Sequence, residues 1–147
     1  MNPFVTPAQK PLSILLVEDD DGDAMALKRA FQKARIANLI TRAVDGIEAL
    51  DILKGANGKT KQPSPGILLV DLNMPRMNGI QLVQALRADG ELRRSIVFIL
   101  TTSKRDEDKT AAYDLNVAGY IAKATAAQDF LNLVSLIDCY GCIVELP

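Results

Sequence analysis

Asp71 ends an apolar run, Ile67-Leu68-Leu69-Val70, and opens the turn Leu72-Asn73-Met74-Pro75-Arg76-Met77-Asn78-Gly79. Three further apolar runs end in polar groups. Ile14-Leu15-Leu16-Val17 leads into Glu18-Asp19-Asp20-Asp21, Ile96-Val97-Phe98-Ile99-Leu100 into Thr101-Thr102-Ser103, and the stretch from Val117 to Ala122 into Lys123. Three carboxylates brought close together repel unless they are protonated or neutralised. Oxygen donors in that number suit a hard cation, and Mg²⁺ accepts a few carboxylates together with retained waters and phosphate oxygens. A carboxylate nucleophile, a divalent metal, a Lys and a hydroxyl are the parts that phosphoryl transfer to an aspartate requires. Asp20, Asp21 and Asp23 have a plainer reading, as helix-capping and solvated charges. Glu18 and Asp19 end the strand itself, so that reading fits them less well.

The elements that must position these groups alternate. Strands are expected at Ser13–Glu18, Leu39–Val44, Ile67–Asp71, Ser95–Leu100 and Val117–Ala122. A helix follows each: one from Asp20–Asp23 to Ala34 with Ala24, Leu27, Ala30 and Phe31 at helical spacing, and one with Ile47, Leu50 and Leu53 on one side. The others span Asn78–Ala88, Asp106–Leu115 and Thr125–Asp138. Strands one, three and four are continuous apolar runs, the mark of parallel strands covered on both faces. Right-handed crossovers then give a three-layer, doubly wound (βα)5 flavodoxin-like α/β fold with a parallel five-stranded sheet, for which the order 2-1-3-4-5, common to such folds, is expected. In that order strands one and three are neighbours at the switch point. Ligands bind such sheets at the carboxyl ends of the strands.

Length and composition set the frame. At 147 residues the chain is read as one domain. A net charge of −1 gives no general attraction to nucleic acid or to an anionic membrane. No apolar run reaches the roughly 18 residues of a membrane span, and Met1-Asn2-Pro3-Phe4 has no signal-peptide character; the expected location is the cytoplasm. Residues 1–11, with Pro3, Pro7 and Pro11, read as an extended arm before a domain of residues 12–138. Cys139 and Cys142 form a C-x-x-C pair, but with no His and no other Cys the chain lacks the ligands of a structural zinc site. Two reduced thiols in a packed tail are the favoured reading. Gly58-Lys59-Thr60 looks like the end of a phosphate-binding loop, yet the required first glycine falls on Leu53, and the segment follows a helix. A calcium loop with Gly22 as its sixth residue would need a ligand at Val17 and is likewise rejected.

The set Val17-Glu18-Asp19, Asp71 with Pro75 and Gly79, Thr101, Tyr120 and Lys123 resembles the CheY-like receiver domain of bacterial two-component response regulators. The intervals agree as well, with 30 residues from Asp71 to Thr101 and 22 more to Lys123. The resemblance implies that Asp71 is the phospho-acceptor. It implies Mg²⁺ on the side chains of Asp19 and Asp71 and the backbone carbonyl of Asn73, with Glu18 acting through a metal-bound water. Lys123 and Thr101 would contact the phosphoryl oxygens, and Thr101 and Tyr120 would form a switch toward a surface of helix four, strand five and helix five. The partner implied is a sensor histidine kinase, and the chain would be a response regulator without an effector domain. Ala124 departs from the family, where many members carry Pro, and Thr102 stands where Ala or Gly is common. The Thr-Thr-Ser after strand four, the long loop before strand three and the tail 139–147 are similar to stand-alone regulators paired with phytochromes. Some of those dimerise through that surface; the apolar tail can pack on the domain or on a second copy.

Two other readings compete. Phosphatases resembling the haloacid dehalogenase group carry a second Asp two residues after the nucleophile; here that position is Asn73, so the chain is not expected to be an enzyme on separate substrates. A non-phosphorylated receiver-like scaffold is the other, although such proteins usually lose the acidic pair, the acceptor or the Lys.

Overall fold

Short β-branched and aliphatic runs bounded by polar turns form the strands, and the amphipathic stretches between them form the helices. The computed structural model describes residues 13–33, 40–59, 61, 66–74, 76–101, 106–122 and 132. Within these the order is β1 (Ser13–Val17), α1 (Asp21–Lys33), β2 (Ile40–Ala43), α2 (Gly46–Lys54), β3 (Gly66–Asp71), α3 (Gly79–Ala88), β4 (Ile96–Thr101), α4 (Asp106–Asp114) and β5 (Gly119–Ala122). The strands form one sheet in the order β2-β1-β3-β4-β5, parallel throughout. The α/β fold class and strand order read from the sequence are those observed. The arm, the fifth helix, the cysteine pair and the tail lie outside the described residues.

β1 is buried along its whole length and β3 from Ile67 onward, because helices cover both faces. Leu15, Val17, Leu68, Val70, Val97 and Ile99 point to one face and form a core with Ala49, Ile52 and Leu53 of α2, Leu82, Val83 and Leu86 of α3, and Ala112 of α4. The alternate residues Ile14, Leu16, Ile67 and Leu69 are buried outside that cluster, as are Ala24 and Leu27 of α1. α1 therefore covers the opposite face, as a right-handed crossover between β1 and the outer strand β2 requires. Burying one such aliphatic side chain contributes about 1.5–3 kcal/mol, which is why unbroken apolar strands choose this arrangement.

The helix termini are set by side chains. Asp20 Oδ1 accepts from the Asp23 amide at 3.1 Å, the capping role that the sequence assigned to this acidic run. Asn78 and Gln81 make a reciprocal capping box at α3. α2 departs from expectation in part. Leu53 is buried and Leu50 packs against the core as expected, but Gly46, Ala49 and Ile52 complete the buried face and Ile47 is 41% exposed. The helix is turned so that Gly46, not Ile47, meets the rest of the protein; the reason is the close approach described below. After α2, Gly55 takes φ 66° as a left-handed cap. Asn57 donates to Asp51 at 2.9 Å and Lys59 pairs with Glu48 at 3.4 Å, so this loop folds back on α2. β5 begins at Gly119, later than expected, because Asn116 turns the chain at φ 59° and Val117 is buried before the strand starts.

Candidate functional site

The register of β1 and β3 places the acidic residues together. Val17 pairs with Val70, so Glu18, just past β1, lies beside Asp71, the last residue of β3, which in turn pairs with Leu100 of β4. Each offers a carboxylate oxygen to one cluster with Asp19, and the three ligand atoms all lie within 4.8 Å of one another. Asp71 is only 4% exposed and Glu18 only 2%, whereas Asp19 is exposed. Two buried carboxylates beside a third are electrostatically costly without a cation. An all-oxygen, mostly anionic donor set with one open side fits a hard divalent ion that retains waters, and not a soft metal.

The backbone around this cluster is held firmly. The Glu18 amide donates to the Ala43 carbonyl at 3.0 Å, and Arg42 Nε donates to the Glu18 carbonyl at 3.0 Å. The other arm of that guanidinium, Nη1, reaches Asp21 Oδ1 at 2.6 Å. On the β3 side the Asn73 amide donates to Asp71 Oδ1 at 3.3 Å. The Leu72 amide bonds the Leu100 carbonyl, and the Gly79 amide returns to the Leu72 carbonyl, each at 3.0 Å. The loop doubles back so tightly that a Cβ on Gly79 would lie 2.5 Å from the Asp71 carbonyl oxygen. Glycine is required there by space, not by a positive φ.

A second contact fixes the middle of the same loop. Arg76 Nε and Nη2 both donate to Asp45 Oδ2, Nε at 2.8 Å. The other Asp45 oxygen caps α2 by accepting from the Glu48 amide at 2.9 Å. Burial alone would raise the Asp45 carboxyl, but the Glu48 amide and the Arg76 guanidinium outweigh it and hold it below the ordinary value. Beside this pair, a Cβ on Gly46 would come within 2.7 Å of Met77 Cγ, so α2 can approach the loop only with glycine there.

On the strand next to β3, Thr101 ends β4 opposite Ala122 of β5. Lys123, the following residue, lies outside the described residues, as does Pro75; of Thr101 only the backbone is described. Tyr120 pairs with Ile99 across β4 and β5 and packs, half-buried, against the core.

The family model for the response regulator receiver domain matches residues 14–135. The chain belongs to this family. Response regulator Rcp1 of Synechocystis sp. is 30% identical over 93% of this chain and 94% of its own length. A crystal structure of the Mn²⁺-bound form of response regulator Rcp1 superposes with a TM-score of 0.78. A phosphorylated cyanobacterial phytochrome response regulator, RcpA, is 27% identical over 94% of this chain and 99% of that one, with a TM-score of 0.79. Response regulator RPA3017, from red light signaling of R. palustris, is 32% identical, covers 92% of this chain and 98% of its own, and has a TM-score of 0.81.

Within this receiver domain, three residues near the site were not singled out from the sequence: Arg42, Asp45 and Arg76. A signal existed for one of them. Asp45 stands three residues before Glu48 at the start of an apolar helix, the spacing of a capping motif. Nothing local marks Arg42 or Arg76, whose partners are 24 and 31 residues away in sequence.

Proposed function

We propose that this chain is a phospho-accepting signalling switch in which Asp71 takes a phosphoryl group from the phosphohistidine of a sensor histidine kinase. The observation that carries the reading is the buried Asp71 carboxylate in one cluster with Glu18 and Asp19 at the switch point of the sheet. An Asp71 oxygen attacks phosphorus in line, a P–O bond forms, and the P–N bond to the imidazole breaks. Mg²⁺, when bound, supplies positive charge beside the phosphoryl oxygens. Asp19 and Asp71 would hold it by side chain, Asn73 by its backbone carbonyl and Glu18 through a water. Thr101 and Lys123 contact the transferred group, and Thr101 with Tyr120 passes the change to the surface of α4, β5 and the helix expected at 125–138. Phosphorylation then biases a pre-existing two-state equilibrium and needs no new fold.

The finer reading pairs this regulator with a phytochrome kinase. Its support is that RcpA is described as a phytochrome response regulator and RPA3017 as part of red light signaling. The domain limits that go with it are an arm at 1–11, the receiver at 12–138 and an apolar tail at 139–147 that packs on the domain or on a second copy, in a homodimer through α4, β5 and the helix expected at 125–138 together with the tail. The site of action is the cytoplasm; among the described residues no helix is long and apolar enough to cross a membrane.

The test is intact mass after incubation with phosphoramidate and Mg²⁺, for wild type and Asp71→Asn. A gain of one phosphoryl group that needs Mg²⁺ and is absent from the variant is the expected result. No gain, where a control receiver is labelled, leaves a receiver-like scaffold as the function.

A further inference from the structure

We infer that Asp45 and Arg76 are positioning residues for the phosphorylation loop: their ion pair holds the segment after Asp71 in the conformation that binds a divalent cation. The inference deepens the proposed function and rests on it. The loop from Leu72 to Asn78 is anchored at its ends by the Leu72 and Gly79 amides. Between these anchors it carries Asn73, and its middle is held from outside by the β2–α2 turn.

Four observations make that hold specific. Arg76 stands at φ 63°, a left-handed conformation that glycine would adopt more readily, so the side chain there needs a reason. A non-glycine residue keeps such a conformation only where its surroundings over-determine it. Arg76 spends two donors on one oxygen of Asp45, whose side chain is 5% exposed, and a buried carboxylate is stable only when paired. The remaining Asp45 oxygen is committed to the α2 cap, which ties the carboxylate to a rigid element. Finally, Met77 packs on Gly46 with no space for a Cβ, so the next residue of the loop seats on the next residue of the turn. Neither Asp45 nor Arg76 belongs to the acidic cluster. Their effect on a bound cation passes through the loop, as outer-sphere partners fix the orientation of direct ligands.

The experiment is a double-mutant cycle of Asp45→Asn and Arg76→Gly, read by calorimetric titration with Mn²⁺. Melting curves ensure that every protein is measured while folded. Asn preserves the α2 cap but not the charge, and Gly relieves the left-handed residue while deleting the guanidinium. Each single variant is expected to lose Mn²⁺ affinity on the order of tenfold, the scale for outer-sphere partners of metal sites. The double variant is expected to lose no more than either single one, since both break one interaction. Arg76→Lys, a folded control with one point charge in place of a fork, should fall between wild type and Arg76→Gly. If wild type binds Mn²⁺ and both single variants match it within about twofold, the pair is only structural and the inference is overturned. Additive losses in the double variant overturn it too. A wild type that neither binds Mn²⁺ nor gains a phosphoryl group from phosphoramidate overturns the functional reading and the inference with it.

Discussion

Glu18 and Asp71 emerge next to each other from adjacent parallel strands, each one residue past the register pair Val17 and Val70, and both are almost completely buried. Two carboxylates in that position, with Asp19 completing the cluster, oppose each other whenever no cation lies between them. Glu18→Gln keeps the shape and removes one charge. The variant should melt a few degrees higher than wild type in EDTA, the scale of about 1 kcal/mol for a domain of this size. The rise in melting temperature produced by Mg²⁺ should shrink, because a ligand stabilises only as far as it binds the folded state. Melts in EDTA and in Mg²⁺ for both proteins check both signs; a variant less stable in EDTA would show that Glu18 is held by its local partners more strongly than it is repelled.

Gly79 lies against the backbone of Asp71, and Gly79→Ala introduces a methyl group 2.5 Å from a carbonyl oxygen that cannot turn away. Because the contact is with backbone, the loop must shift. The expected cost is about 1–3 kcal/mol in urea unfolding, typical of overpacking. Acceptance of phosphate from phosphoramidate should slow at the same time, since the displaced atoms adjoin Asp71. Unchanged acceptance at reduced stability would separate the packing role of Gly79 from the site.

The strand ends were readable in the sequence because each is a local pattern: an apolar run closed by a charged or hydroxyl residue. That pattern located Glu18, Asp19 and Asp71, and the alternation of strands and helices gave the parallel, doubly wound architecture, while the strand order was expected only because it is common to such folds. Within α2, Leu50 and Leu53 lie on the core side as expected. Ile47 was misplaced because it is the most apolar residue of its turn, while the burial there is decided by Met77, 31 residues from Gly46, which leaves room only for a glycine. The Asp45–Arg76 pair was missed for the same reason. Long-range side-chain pairs leave no periodicity behind, and an Arg in a polar loop reads as solvated until its partner is known.

Arg87 of α3 makes a comparable long-range tie at the other end of the sheet. Its guanidinium donates to the carbonyls of Leu115 and Arg93 at 2.7 Å, Ser95 at 2.8 Å and Asn116 at 3.0 Å. Burial lowers its pKa from the ordinary value, yet four carbonyl acceptors surround the charge. Arg87→Ala leaves those acceptors without their donor, at a cost of about 1–3 kcal/mol. The effect should concentrate at the α4–β5 junction, seen as faster hydrogen exchange from Leu115 to Ala118. Arg87→Lys should not restore protection, since one ammonium cannot span the four positions.

The low pKa of Asp45 gives a pH dependence with a defined sign. Its carboxyl titrates below the ordinary value of 3.8 in the folded protein. The stabilisation from its charge is therefore fully present above the unfolded-state value and is lost as pH falls through the folded-state value. Asp45→Asn retains the α2 cap but has no charge to lose. The stability difference between wild type and Asp45→Asn should be largest near neutral pH and should narrow on acidification below about pH 4. Asp89 is also held low, first by the Glu91 amide, but it is present in both proteins and cancels in the difference. Urea unfolding of the pair at about pH 7 and about pH 3 measures the change. A difference that stays constant across that range would show that Arg76 gains nothing from the Asp45 charge, and that the carboxylate serves only as a cap.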